Sequence, residues 1–561
     1  MKSFHLSTAL VLGACQVTLA LWPIPRSLQT GSTIVKLSSG FDIQLSGINH
    51  APDDLSDAIE RTKSHLQNDK LQRLIVGRGA ADSAKVKSAP SINKLTLSLN
   101  SGAGQAKSIF EEATKDIGTR SEGYSLSIPG DGKTATISAN STLGLLRGLT
   151  TFEQLFYDDG TGTSYTYQAP VTIQNDSPAY PWRGLMLDTA RNYFSVKDIK
   201  RTLDGMSSVK MSQFHWHIVD SQSFPLIVPE FPELAQTGAY SSGEVYSPSD
   251  VQDIVTYAGQ RGIDVLVEVD TPGHTSIIAH SHPEHIACFE ASPWTSFANE
   301  PPAGQLRLAS NKTVSFSASL ISAIAKKLPS KLFSTGGDEI NQNCYTQDAQ
   351  TQADLAASGK TFEQALDSFT QATHAELKKL GKTPVVWEEM ALEHKVTLAN
   401  NTIVQVWISS QNALAVVNKG LRIVHAPSDY FYLDCGHGGW VGKNVNGNSW
   451  CDPFKTWQKA YSFNPQQDIP ASSSQLVYGG QQLLWVEQSD PSNLDSIIWP
   501  RAASSAEVFW TGTTGPDGSP LDVGTALPRL HDLRYRLKQR GINAIALQPH
   551  WCALRPGACD L

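Results

Sequence analysis

From Trp182 onward the chain repeats one device: a short apolar run, usually closed by an acid or a tryptophan. The runs are RGLMLD (183–188), QFHWHIV (213–219), IDVLVEV (263–269), LFST (332–335), TPVVW (383–387), TIVQVW (402–407), LRIVHA (421–426) and QQLLW (481–485). Helical stretches such as SPSDVQDIVTYAGQRG and FEQALDSFTQATHAELKKLG lie between some of them. Eight such units predict a (β/α)8 TIM barrel over roughly residues 182–520, with the last two units the least clearly patterned. The competing architecture is a doubly wound open sheet, but no Gly-x-Gly-x-x-Gly follows the first run.

The region before the barrel reads as a small α/β domain with an antiparallel sheet. KLTLSL (94–99) alternates with period two, and GYSLSI, PGDG and TATISA read as a hairpin. STLGLLRGLTTFEQLF (141–156) has helical spacing after an Asn-Ser-Thr start. Residues 50–92 are polar, rich in Ala and Ser and weakly patterned, which suggests a flexible or processed segment. QNDSPAYPWRG (174–184) reads as a linker. The expected division is a signal peptide at 1–20, an N-terminal domain at 21–178 and a catalytic domain with a C-terminal extension at 179–561.

At the start, Lys2 precedes a short apolar run, and Thr18-Leu19-Ala20 offers small residues to a signal peptidase. This predicts secretion, and no later segment has the length and apolarity of a membrane span. Cys15 would leave with the signal. The remaining Cys288, Cys344, Cys435, Cys451, Cys552 and Cys559 form an even set, which suggests disulfides in a secreted chain. CALRPGAC (552–559) reads as a local closure, while the other pairings stay open. Sequons at Asn140, Asn175, Asn311 and Asn400 are candidate glycosylation sites. A net charge of -8 without a basic tract argues against nucleic acid as a partner.

Active sites of TIM barrels lie at the C-terminal ends of the strands. Asp188 and Arg191, Asp220, Glu268 with Asp270 and His274, Asp338-Glu339, Glu388-Glu389, Trp407 and Glu487 all fall at or just past such ends. Carboxylates beside Trp387, Trp407 and Trp485 suit a sugar, whose hydroxyls need polar partners and whose ring faces pack on indoles. HWH puts His215 and His217 on one strand face, as in some barrel metallohydrolases. The fifth and sixth strands end in tryptophans instead of further ligands, so no metal is expected. The two histidines are read as packing beneath the site or orienting other groups.

The set RGLMLDTARNYF, HWHIVDSQSFP, EVDTPGHT, STGGDEIN, VVWEE and LLWVEQ resembles glycoside hydrolase family 20, the β-N-acetylhexosaminidases, over about two thirds of the chain. The whole chain is most similar to secreted fungal members. The resemblance implies Glu339 as general acid and then base, and a nucleophile supplied by the substrate's own 2-acetamido oxygen, this family being an exception to the two-carboxylate rule. Asp338 would hold the acetamido N–H and offset the developing charge. Tyr432 would donate to the acetamido oxygen inside a box of Trp387, Trp407 and Trp485. Arg191, Glu487 and Asp434 would bind hydroxyls, and Asp220 and His274 would tune Glu339. No cofactor is implied. The partner would be an oligosaccharide with a terminal N-acetylhexosamine, and the fungal likeness implies a homodimer.

Two departures stand out. Relatives often carry a second acid after HWHIVD, where Ser221 stands here, and DYFYLDC varies in the family, which leaves Asp434 a softer assignment than Tyr432. Two other readings compete. One is a conventional retaining glycosidase pairing Glu339 with Glu268 or Asp270. The other is a catalytically silent sugar-binding protein.

Overall fold

The computed structural model describes residues 20–560; the predicted signal peptide up to Leu19, with Cys15, lies outside them. All eight runs form strands of one closed parallel barrel: Trp182–Asp188, Gln213–Val219, Asp264–Val269, Leu332–Gly336, Thr383–Trp387, Ile403–Val406, Arg422–His425 and Val477–Leu484. The eighth strand closes the ring by pairing with both the first and the seventh. The first three strands are buried at every position, as expected of strands sandwiched between a filled interior and an outer layer of helices.

The outer helices start where side chains can satisfy their free N–H groups. Ser195 with Asp198, Ser247 with Asp250 and Thr361 with Gln364 form reciprocal capping boxes for helices Val196–Ser208, Pro248–Gly259 and Phe362–Lys379. After the fifth, sixth and seventh strands the helices shrink to Glu389–Leu392, Ala413–Val417 and Ser428–Phe431. The weak patterning of the seventh unit reflects such a one-turn helix, too short to show a period.

The N-terminal sheet has six strands and is mixed, a correction to the antiparallel sheet expected from sequence. The hairpin Tyr124–Ile128 with Lys133–Ala139 is antiparallel as read, but Gln29–Ser46 pairs parallel with Ser91–Leu99, which pairs parallel with Lys133–Ala139. The reason lies in segment 50–92. It carries helix Asp53–Asn68, whose buried face of Leu55, Ala58, Ile59, Thr62 and Leu66 packs on the sheet side of the domain. A helical crossover returns the chain parallel to the strand it left.

This domain covers the N-terminal end of the barrel. Ile117 plugs the bottom layer formed by Trp182, Leu266, Leu332, Val385, Ile403 and Val424. Glu122 accepts from Arg147 Nε at 2.9 Å and from Arg183 Nη2, on the first barrel strand, at 2.5 Å. Arg120 pairs with Asp264 at the start of the third strand at 2.7 Å. The opposite end of the barrel is left open for a site. The six cysteines pair as Cys288–Cys344, Cys435–Cys451 and Cys552–Cys559, the last being the local closure expected. Asn140, Asn175, Asn311 and Asn400 are all exposed. No helix among the described residues is long and apolar enough to cross a membrane.

Candidate active site

The fourth strand ends in Gly336 and Gly337, both at positive φ, followed by Asp338 and Glu339. A Cβ on Gly336 would stand 2.0 Å from Asp270 Oδ1, and one on Gly337 would stand 2.5 Å from Met390 Cγ. The glycines therefore let the Asp-Glu pair approach the end of the third strand, and Gly337 N–H donates to Asp270 Oδ1 at 2.7 Å. Glu339 itself sits at φ 51°, an uncommon conformation for a side chain of its size and the kind of strain that gathers at functional sites.

A chain of alternating charges runs from the barrel interior to Glu339. Glu268 Oε1 lies 2.7 Å from His217 Nδ1, and His217 Nε2 lies 2.7 Å from Asp220 Oδ2. Asp220 Oδ1 lies 3.1 Å from His274 Nδ1, and His274 Nε2 faces Glu339 Oε2 at 3.4 Å. Burial opposes every charge here, yet the pairings win. Hydrogen bonds to Asp220 and Glu268 raise His217 to about 10. Asp220 and Asp338 hold His274 well above its ordinary range. Arg191 and His274 hold the Asp220 carboxyl well below its own. The two histidines of HWH thus orient and pack, as read: His217 bridges Asp220 and Glu268, while His215 lies 3.1 Å from Glu268 and accepts at Nδ1 from Gln481 at 3.0 Å.

Asp338 and Asp270 form a buried carboxyl pair. Burial and then the neighbouring Asp338 push Asp270 well above the usual carboxylate range. Burial also raises Asp338, opposed by a hydrogen bond from Asp270 and by the His274 charge. Asp270 Oδ2 and Asp338 Oδ1 receive no amide, hydroxyl or imidazole donor among the described residues.

Four aromatic rings surround the pair. Trp387 and Trp485 lie 6.2 Å apart, Tyr432 lies 6.5 Å from Trp485, and Trp407 stacks on Tyr432 at 6.3 Å. Burial, reinforced by the charges of Asp338, Glu339 and Glu389, keeps the Tyr432 phenol protonated well past its ordinary range, so it remains a donor. On the other side Arg191 is gripped by Glu300 at 2.8 Å and by Asp188 and Asp220 at 3.1 Å, with Trp485 beneath it. Its Nε and Glu487 Oε2 have no protein partner among the described residues. Burial raises Glu487 to about 8, helped by Glu300 and Asp188 against Arg191, so it can donate as well as accept near neutrality. Asp434 stands at the rim, where its carboxylate already accepts from His437 N at 3.0 Å and Ser489 Oγ at 3.3 Å.

Three residues near the pocket were given no role from sequence. Glu300 lies deep in the long loop after the third strand, away from any strand end. Glu389 was visible as a strand-end acid, and its Oε2 proves to accept from Trp407 Nε1 at 2.8 Å. Burial and Asp338 raise it to about 9. Its neighbour Glu388 turns aside to Ile408 N and Asn412. Trp450, on the loop closed by Cys435–Cys451, meets Trp407 and Tyr432 edge-on at 5.6 Å and is 60% exposed. Nothing in its sequence surroundings marks it.

A barrel whose open end gathers an Asp-Glu pair, an aromatic box and an arginine clamp defines a sugar-cleaving enzyme. Residues 180–513 match the catalytic domain of glycosyl hydrolase family 20, and residues 21–155 match the "beta-acetyl hexosaminidase like" domain. The chain belongs to glycosyl hydrolase family 20 and is a glycoside hydrolase of the β-hexosaminidase class, which displaces the reading as a silent sugar-binding protein. It is 34% identical to a beta-hexosaminidase of Arthroderma benhamiae over 90% of this chain and 85% of that one. It is 33% identical to a chitooligosaccharidolytic beta-N-acetylglucosaminidase of Bombyx mori, over 96% and 89%. Among solved structures it resembles the Flavobacterium johnsoniae chitobiase, with TM-score 0.72 and 25% identity over 93% of this chain and 73% of that one.

Proposed function

We propose that this chain is a secreted exo-acting β-N-acetylhexosaminidase. It removes terminal N-acetylglucosamine, and N-acetylgalactosamine as a second substrate, from chito-oligosaccharides or glycoconjugates. The observation that carries the mechanism is the lack of a free nucleophile opposite Glu339. Glu268 is buried among His215, His217 and Ser334, which occupy its oxygens. Asp270 accepts from Gly337 N–H at 2.7 Å, and burial with the neighbouring Asp338 holds it well above the usual carboxylate range, which disfavours the anion a nucleophile needs. A conventional retaining glycosidase needs one of them free, so the substrate's acetamido oxygen takes the part.

In this reading the sugar's acetamido group enters the box of Trp387, Trp407 and Trp485. Asp338 accepts its N–H, and Tyr432 donates to its oxygen. That oxygen attacks the anomeric carbon as the glycosidic C–O bond breaks. Glu339, whose Oε2 faces His274 Nε2 at 3.4 Å, gives a proton to the departing oxygen. The resulting oxazolinium cation faces the Asp338 carboxylate, which offsets its charge. Glu339 then takes a proton from water as the water opens the ring, and the anomeric configuration is retained. Arg191 and Glu487 bind hydroxyls of the same sugar. Trp450, exposed at the mouth, offers a face to the next sugar of a chain. The three disulfides suit an oxidising compartment.

A thiazoline analogue of the oxazoline tests the mechanism, together with two variants. The analogue is expected to inhibit competitively and tightly. Asp338→Asn should lower kcat by about 10²–10³-fold, as the loss of a preorganised electrostatic partner does. Glu339→Gln should lower it by about 10²–10⁴-fold on substrates with poor leaving groups, with KM little changed. Weak inhibition together with a glycosyl-enzyme trapped on Glu268 or Asp270 would refute substrate assistance.

A further inference from the structure

Away from the pocket, the loop that carries His274 continues into the sequence His282-Pro283-Glu284-His285, wound as a 3-10 turn over Pro283–His285. Three ligand atoms converge there, all within 4.8 Å of one another. His282 Nδ1 lies 3.7 Å and His285 Nε2 lies 3.8 Å from Glu284 Oε1. The far nitrogen of each ring is already engaged. His282 Nε2 is bonded to Glu233 Oε1 at 2.9 Å, and His285 Nδ1 lies 3.0 Å from Thr313 Oγ1. A carboxylate accepts only, so the Glu233 bond places the His282 proton on Nε2 and leaves Nδ1 with its lone pair. A proton donated to Thr313 likewise leaves His285 Nε2 unprotonated. Metal-binding histidines are held in this way, the outward N–H fixed by a carboxylate or another acceptor. Phe316 stacks on His285 with centroids 4.4 Å apart and holds its ring in place.

We infer that His282, Glu284 and His285 form a binding site for a divalent transition ion of the zinc type, with a fourth position open to solvent. Zinc bonds of about 2.0–2.1 Å in tetrahedral geometry put ligand atoms about 3.3 Å apart, so closure draws all three side chains together from separations of up to 4.8 Å. Two imidazoles and one carboxylate suit zinc over calcium or magnesium, which prefer all-oxygen sets. The bound ion staples the turn to helix Pro232–Gly238 through Glu233 and to helix Asn311–Ala325 through Thr313. Its role is to rigidify the loop beyond His274, and it takes no part in bond cleavage.

The test uses the full chain without a polyhistidine tag, with Co²⁺ as the spectroscopic probe and Zn²⁺ as its competitor. One Co²⁺ per chain should bind with the visible bands of a four-coordinate nitrogen–oxygen site, and Zn²⁺ should displace it. His282→Ala and Glu284→Ala should each weaken binding by about tenfold or more, and Glu233→Gln by about 10–100-fold, as loss of an outer partner does. Zn²⁺ should raise the Tm of the parent but not of the His282→Ala/Glu284→Ala double variant, whose metal-free Tm reports that it still folds. The inference is overturned if the parent binds no stoichiometric Co²⁺. It is equally overturned if the double variant binds Co²⁺ as tightly as the parent, which would put the ion elsewhere.

Discussion

At the scale of single residues, the pocket divides its carboxyls into ionised and neutral. Asp220 is an anion because Arg191 and two histidines surround it, whereas Glu389, with one indole donor and Asp338 nearby, keeps its proton to about pH 9. The consequence for stability has a definite sign. Between the ordinary glutamate value of 4.5 and its folded value of about 9, native Glu389 holds a proton that the unfolded chain releases. Stability attributable to this group therefore falls as pH rises through that window. Glu389→Gln keeps an acceptor for Trp407 and removes the titration. The variant should match the parent near pH 4 and gain on it above that, by on the order of 1 kcal/mol per pH unit. Unfolding midpoints from pH 4 to 8 measure this, and a pH-independent difference would contradict it. Asp338, Glu339, Arg191 and Trp387 were legible in sequence because each lies at or just past a strand end, the one place where barrel topology says to look. Glu300 and Trp450 come from long loops, where position along the chain says nothing about position in space.

At the scale of elements, the eight strands were readable because a strand buried on both faces is a continuous apolar run. Helix Asp53–Asn68 was not, since its inner face mixes Thr62 and Ala58 with Leu55, Ile59 and Leu66, and missing it hid the parallel pairing of Gln29–Ser46 with Ser91–Leu99 that it creates. Under the proposed role of Trp450 as a face for the next sugar, the element that governs substrate choice is the loop closed by Cys435–Cys451. It carries Trp450 beside Trp407 and Tyr432, so opening the loop should disturb the second sugar and spare the first. Cys435→Ser/Cys451→Ser is expected to raise KM for chito-oligosaccharides by about tenfold, the order of one aromatic contact of ~1.5 kcal/mol. KM for an aryl N-acetylglucosaminide should change little. Equal losses on both substrates would mean that the loop supports the first sugar's pocket instead.

At the scale of the whole molecule, the N-terminal domain and the barrel are joined by buried charge as well as apolar area. Glu122 is fully enclosed, and although burial opposes its ionisation, Arg183 and Arg147 hold its carboxyl below the usual range. Arg183 is the second residue of the first barrel strand, and Arg147, on helix Thr142–Gln154, also donates to Gly262 O at 2.7 Å, just before the third strand. Removing Glu122 strands two guanidinium groups out of water, which typically costs about 3–5 kcal/mol for a broken buried pair. These contacts lie at the closed end of the barrel, with the plugging layer around Ile117 between them and the pocket. Glu122→Ala should therefore lower the unfolding midpoint while leaving KM and kcat near parental values at temperatures where the variant stays folded. Replacing the triad by apolar residues of similar volume should restore much of the loss, because the cost comes from unpaired buried charge and not from missing attraction. If Glu122→Ala instead lowered kcat with no change in the midpoint, the domain would be acting on the site through the barrel strands and not merely holding them together.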